Sequence, residues 1–163
     1  MSTSFANVAL DKGLPANLEA EKFILGSLLL DDSRFIEVAG QIVTEDFILE
    51  KHRRIFTRME ELHERNVKID RITLAEELQR RGELESVDGL TYLVSLDDGL
   101  PQISNLDGYI RIVREKAILR KIAIAGQHIM NRALLAEEDP RDMPSHVQGQ
   151  RRFPHRWPRR END

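Results

Sequence analysis

From Ser104 to about Ala136 the chain contains no proline and only two glycines, Gly108 and Gly126. Ser104 and Asn105 both suit a helix N-cap, so the stretch reads as one long helix. At 1.5 Å per residue it extends roughly 50 Å, whereas a body made from the preceding hundred residues is only about 30 to 35 Å across. The expectation is a helix that overhangs its own domain. Its polar residues keep to a narrow stripe, Asp107, Arg111, Arg114, Lys121, His128 and Arg132, broken by Ile118 and Ala125. Leu106, Tyr109, Ile110, Ile112, Val113, Ala117, Leu119, Ile122, Ala123, Ile124, Ile129 and Met130 make up a wide apolar arc. An arc this wide needs cover on two sides, and one small body supplies one of them. The alternative is a bend at Gly126 that folds the distal half back over its own body, since glycine inside a helix often marks a kink.

The residues before this helix read as helical too. Leu14-Pro15 leads to Asn17, a cap for a helix through Leu30 with Leu18, Ile24, Leu25 and Leu28 on one face. Asp31, Asp32 and Ser33 break and recap the chain, and Phe35, Val38, Ala39 and Ile42 give a second helix. After Phe47 a third carries Ile55, Phe56, Met59 and Leu62 inward. Its outer face pairs Glu50 with Arg54 and Glu61 with Arg65 at the i, i+4 spacing. Thr73 and Glu76 fit a capping box for a fourth helix that buries Leu74, Ala75 and Leu78 and stops at Gly82. A short fifth helix, Asp88 to Leu96, presents Leu90, Leu93 and Val94. Val67–Asp70 alternates too briefly to define a strand. The fold class is therefore all-α, a compact five-helix lobe plus a long C-terminal helix. Residues 1–13 are expected to form a flexible arm, 14–138 the domain, and 139–163 a disordered basic tail.

Charge separates the tail from the rest. Six arginines against three acids give residues 141–163 a net of +3, so the total of −4 leaves −7 on residues 1–140. An acidic body argues against nucleic-acid binding by the folded part, including through a helix-turn-helix in the fourth and fifth helices. Arg151 to Arg160 interleaves cations with Phe153 and Trp157 and could grip a single strand by charge and stacking, although a basic tail without such a role is the preferred reading. The absence of cysteine excludes disulfides and thiol chemistry and fits a cytoplasmic chain. No apolar run approaches a membrane span, and no membrane partner is expected.

Catalytic chemistry finds no foothold. The glycine spacings allow neither a Walker A loop nor a dinucleotide fingerprint. No histidine has a second three to five residues away, which leaves no helical metal pair. His52 reads as a structural histidine, and the Asp31-Asp32 and Asp97-Asp98 pairs as helix caps. No catalytic, cofactor-binding or metal-binding residue is expected in this chain.

The succession Leu14-Pro15-Ala16-Asn17-Leu18-Glu19-Ala20-Glu21, Leu25-Gly26-Ser27-Leu28-Leu29, Asp46-Phe47, His52-Arg53-Arg54-Ile55-Phe56, Ile69-Asp70, Thr73-Leu74, Glu77-Leu78, Gly82-Glu83-Leu84, Gly89-Leu90-Thr91-Tyr92-Leu93, Pro101, Asn105 and Tyr109 through Arg114 resembles the N-terminal domain of the bacterial replicative DNA helicase, the DnaB family. The likeness runs from about Leu14 to Glu138. Asp88 stands where the family pattern usually has a second glycine, and Ile110 where it usually has alanine. The resemblance implies an all-helical lobe followed by a helical hairpin. In similar proteins such domains pair through their hairpins into a collar, a trimer of dimers, above six ATPase domains, and the collar receives primase. The long helix is then the first hairpin arm, with Tyr109, Ile112, Val113, Leu119, Ala123 and Met130 as the expected dimer or hairpin face. The implied partners are a second copy, primase and intact helicase subunits. Where the family continues into a second arm and a RecA-like motor with Walker A, this sequence gives Arg141 to Asp163, as a truncated or frame-shifted gene would. ATP and magnesium belong with that motor, so the chain alone is expected to be no enzyme but a scaffold of the primosome in DNA replication. The alternative is a free-standing helical adaptor or inhibitor of the intact helicase.

Overall fold

The computed structural model describes residues 13–100 and 105–135. Ser104, Ala136 and the whole basic tail lie outside the described residues, as do nearly all of the N-terminal arm and Pro101. Among the described residues there are six α-helices and no strand: α1 Leu18–Leu30, α2 Phe35–Ala39, α3 Glu50–Glu64, α4 Arg71–Arg80, α5 Gly89–Asp97 and α6 Leu106–Leu135. Short 3-10 turns at Asp32–Arg34, Thr44–Asp46 and Glu85–Val87 link them. The all-α expectation holds. The chain divides into two compact units, residues 1–123 and 124–163.

In the first unit, α1 is the central element. Asn17 accepts a hydrogen bond from the Ala20 N–H at 3.0 Å and starts the helix as expected. Ala20, Phe23, Ile24, Leu25, Leu28 and Leu29 are buried around most of its circumference, because α3 and α5 pack on different sides of it. Leu18, expected on the inward face, is instead exposed in the first turn. Gly26 lets α5 approach closely: a Cβ there would lie 2.0 Å from the Leu96 carbonyl oxygen. Ile55, Phe56, Met59 and Leu62 of α3 are all buried, completing the core with Phe35, Val38, Phe47, Leu74, Leu78, Leu93 and Leu96.

Several local expectations are corrected. The second helix ends at Ala39, and Ile42 is buried from the turn that follows it. The cap of α4 is Asp70, not Thr73: the Asp70 carboxylate accepts from Ile72 N–H and Thr73 N–H, and the Thr73 hydroxyl oxygen in turn accepts from the Asp70 N–H. Aspartate is the stronger cap and lies three residues before a threonine able to reciprocate, so the box forms one turn earlier. Gly82, at φ +69°, ends that helix as expected. Its N–H and that of Glu83 bond back to the carbonyls of Gln79 and Leu78 in the pattern of a Schellman motif.

Leu93 is buried, but Leu90 and Val94 face outward and line an apolar groove with Leu30 and Ile72. Glu50 pairs with Arg54 at 3.4 Å. The expected Glu61–Arg65 pair is replaced, since Glu61 takes Arg58 and Arg81 while Arg65 takes Glu77. Asp31 caps the turn at Ser33, whereas Asp97 forms an ion pair with Arg71 at 3.3 Å. α6 is a 30-residue helix that continues through Gly126.

Candidate functional site

On α6, buried positions fall at Leu106, Ile110, Val113, Ala117 and Arg120, with spacings of four, three, four and three. This is the repeat that keeps one side of a helix against a neighbour. Tyr109 stacks on Phe23 of α1 with ring centroids 3.9 Å apart, and Ile112 packs half-buried beside it. Three residues of the expected pairing face, Tyr109, Ile112 and Val113, are thus engaged by their own lobe. Val113, only 2% exposed, belongs to the core.

Leu119 and Ala123 are exposed, together with Ile118 and Ile122, which are 52% and 62% exposed. At about 100° per residue these four fall on the side of the helix away from the buried stripe. They form an outward apolar face in the first unit. Within the second unit, Ile124, Met130 and Leu134 are exposed, Leu134 the most.

Arg120 is the residue that sequence reasoning missed, belonging to neither the polar stripe nor the apolar arc. It is 6% exposed, and its guanidinium donates to the Pro15 carbonyl at 2.8 Å and to the Asp46 carbonyl. Next to it, Lys121 Nζ donates to Asp46 Oδ1 at 3.1 Å, while Asp46 Oδ2 accepts from the Val43 N–H. A cation three residues after Ala117 on the buried stripe was the signal in the sequence, since a buried guanidinium needs acceptors waiting for it.

A second polar cluster ties α1, α3 and α5. The Glu21 carboxylate accepts from the Ile48 N–H at 2.8 Å and lies 2.7 Å from His52 Nδ1, and His52 Nε2 is 2.6 Å from the Tyr92 hydroxyl. Every group is satisfied when His52 donates from Nδ1 to the carboxylate and accepts from Tyr92 at Nε2. Lys51 sits 3.6 Å over the Tyr92 ring and 2.7 Å from Asp88. Burial raises the Tyr92 pKa above its ordinary value against the opposing pull of Lys51. A carboxylate–imidazole–phenol chain resembles a proton relay, but Glu21 and His52 are both buried and both ring nitrogens are committed to partners. The cluster is a tie between helices, as a lone structural histidine predicts.

A third cluster joins α3 to α4. Arg65, Arg80 and Arg81 converge on the buried Glu77 carboxylate at 2.6, 2.5 and 3.2 Å. Their hydrogen bonds, Arg65 foremost, outweigh desolvation and hold its pKa at about 2. Among the described residues, no group of three or more His, Cys, Asp or Glu is placed to hold a metal ion, and no helix is long and apolar enough to cross a membrane.

The class these features define is an all-α lobe built around a buried central helix, closed by one long helix that carries an exposed apolar group at Ile118, Leu119, Ile122 and Ala123. The family model of the DnaB-like helicase N terminal domain matches residues 13–115, and the chain belongs to that family. It is 38% identical over 132 residues to the replicative DNA helicase DnaB of Buchnera aphidicola subsp. Baizongia pistaciae, covering 81% of this chain and 28% of that one. The crystal structure of the N-terminal domain of DnaB helicase from Mycobacterium tuberculosis superposes with a TM-score of 0.78 at 29% identity, covering 84% of this chain and 96% of that domain. A DnaB-like replicative helicase whose structure was described with its interactions with primase superposes at 0.61 and 26% identity, covering 82% of this chain and 34% of that one. The chain spans 24% to 30% of the length of the curated relatives it matches. The matched segment is the N-terminal domain of those helicases.

Proposed function

We propose that this domain is a collar element of a replicative helicase, self-associating through the outward face of α6 and offering the assembled lobes to primase. The observation that carries the reading is the group Ile118, Leu119, Ile122 and Ala123, exposed on a helix whose other side is already packed. Three large aliphatic residues within five positions favour burial against another apolar surface. Leu119 and Ala123 of the expected face stay in this proposal, Ile118 and Ile122 join them, and Met130 lies in the second unit. Tyr109, Ile112 and Val113 act by seating α6 on the lobe. Primase docking is supported by likeness to the helicase studied with primase. Neither ATP nor magnesium has a role in this part of the assembly. The free-standing adaptor or inhibitor has no observation of its own to favour it.

Light scattering across a dilution series reaching low micromolar tests self-association, with a dimer or larger species expected. Titration with purified primase tests docking. A monomer at every concentration, unchanged by primase, would refute the proposal.

A further inference from the structure

The guanidinium of Arg120 joins three pieces of chain that are far apart in sequence. Pro15 lies before α1, Asp46 closes a 3-10 turn, and Arg120 is on the last buried turn of α6. Neither acceptor carbonyl belongs to an α-helix that would supply it with an N–H, so each depends on a side chain or water. Among the described residues, no carboxylate forms an ion pair with Arg120, although carboxylate partners are found for Arg34, Arg53, Arg54, Arg58, Arg65, Arg71, Arg80 and Arg81. A buried guanidinium is tolerated only while its donors are occupied. The cation and the two carbonyls therefore need one another. Beyond Arg120, every described position of α6 as far as Leu134 is exposed except the half-buried Ile129.

We infer that Arg120 is a latch: it fastens the docked part of α6, the segment before α1 and the Val43–Phe47 turn into one cooperative unit, and it is the point at which α6 is released. The apolar stripe Leu106, Ile110 and Val113 holds the near end of the helix independently of the latch. Opening the latch frees the last docked turns first. Their amides then exchange through a local opening that leaves the α1–α3 core closed. The inference concerns the lobe itself and stands whether or not α6 pairs with another chain.

Native-state hydrogen exchange on the full chain tests it. Arg120→Met keeps an unbranched apolar stem and removes the guanidinium with its donors. In that variant, amides between Val113 and Lys121 and those of the Val43–Phe47 turn are expected to exchange roughly tenfold faster or more, while Leu25, Ile55 and Phe56 keep their wild-type protection. Lys121→Met is the comparison and should accelerate both sets less than Arg120→Met does, because Lys121 is largely exposed and reaches only the carboxylate of the buried Asp46, neither of the two carbonyls. Should Arg120→Met fail to fold, Arg120→Lys reports the same pattern at smaller amplitude, since one ammonium cannot span both carbonyls in the guanidinium's geometry. Equal acceleration of α1, α3 and α6 would reduce Arg120 to an ordinary contributor to global stability and overturn the inference. So would unchanged exchange at all sites in a folded variant.

Discussion

Replacing Gly26 by alanine sets two effects against each other within one helix. Alanine is favoured over glycine in a helix interior by about 1 kcal/mol, which alone would stabilise α1. The added methyl, however, would sit 2.0 Å from the Leu96 carbonyl oxygen, 2.7 Å from the Leu96 carbonyl carbon and 2.7 Å from Leu100 Cδ1. Two of these three atoms are backbone, so no rotamer change removes the clash. Restoring ordinary contact requires α5 to retreat from α1 by more than about 1 Å, which loosens Leu93 and Leu96 against Ile24, Leu25 and Leu28. Overpacking of this kind costs about 1 to 3 kcal/mol and occasionally more, and an unyielding backbone contact places Gly26 at or above the upper end. After the propensity gain, the net loss is about 2 to 3 kcal/mol, or a fall in Tm of roughly 10 °C for a body of this size. Thermal unfolding followed by far-UV circular dichroism measures it. Gly126→Ala is the matched control: nothing lies within 4 Å of the added methyl, so only the propensity term acts, and helicity should rise. A Gly26→Ala midpoint at or above wild type would refute the reasoning, because it would mean that the α1–α5 spacing yields freely and propensity decides.

Three further outcomes follow from individual contacts. Burying a whole Ile side chain stabilises by about 1.5 to 3 kcal/mol. At 62% exposure, Ile122→Ser should therefore cost about 1 to 2 kcal/mol per copy, counted twice in a two-fold contact. Sedimentation should find self-association roughly 30- to 1,000-fold weaker, and an unchanged dimer would remove Ile122 from the face. Asp70→Ala removes the acceptor for the Ile72 and Thr73 N–H groups and should lower stability by about 1 kcal/mol in urea unfolding; no loss would return the cap to Thr73. The Glu77 carboxyl, normally at 4.5, is held at about 2 in the folded state, so its ion cluster stabilises the fold fully above pH 4.5. That contribution disappears as pH falls from about 4.5 towards 2. Glu77→Gln, which leaves Arg65, Arg80 and Arg81 facing one another, should flatten the acid limb of a stability profile, and an acid limb as steep as wild type would exclude Glu77 as its source.

What could be read from the sequence was whatever periodicity and caps determine locally. Asn17, the inward row Ile55, Phe56, Met59 and Leu62, and the stop at Gly82 depend on neighbours within one or two turns, and each is found as expected. Leu90 and Val94 failed because helical spacing defines a face without saying which neighbour covers it. α5 buries Leu93 and Leu96, with Tyr92 packed half-buried beside them. Thr73 failed through competition between two capping residues three positions apart, where the side chain reaching the most free N–H groups wins. The Glu61–Arg65 pair failed because the buried Glu77 on α4, invisible to a single-helix pattern, is the better partner for Arg65: a desolvated carboxylate gains more from a guanidinium than a half-exposed one does.

The same distinction governs α6, where one wide apolar arc serves two purposes that composition cannot separate. Tyr109, Val113, Leu119 and Ala123 look alike in a list of apolar residues, yet the first two are held by Phe23 and the core while the last two remain open. What divides them is which side of the helix the lobe covers, and the last buried residue on that side is polar. Arg120 reaches back to Pro15 and Asp46 at the last buried position of the helix. A charged residue standing in a buried stripe is therefore more informative than the apolar residues around it. It commits its side of the helix to specific acceptors, while Ile118, Leu119 and Ile122 on the opposite side stay exposed, the surface proposed above for a second copy.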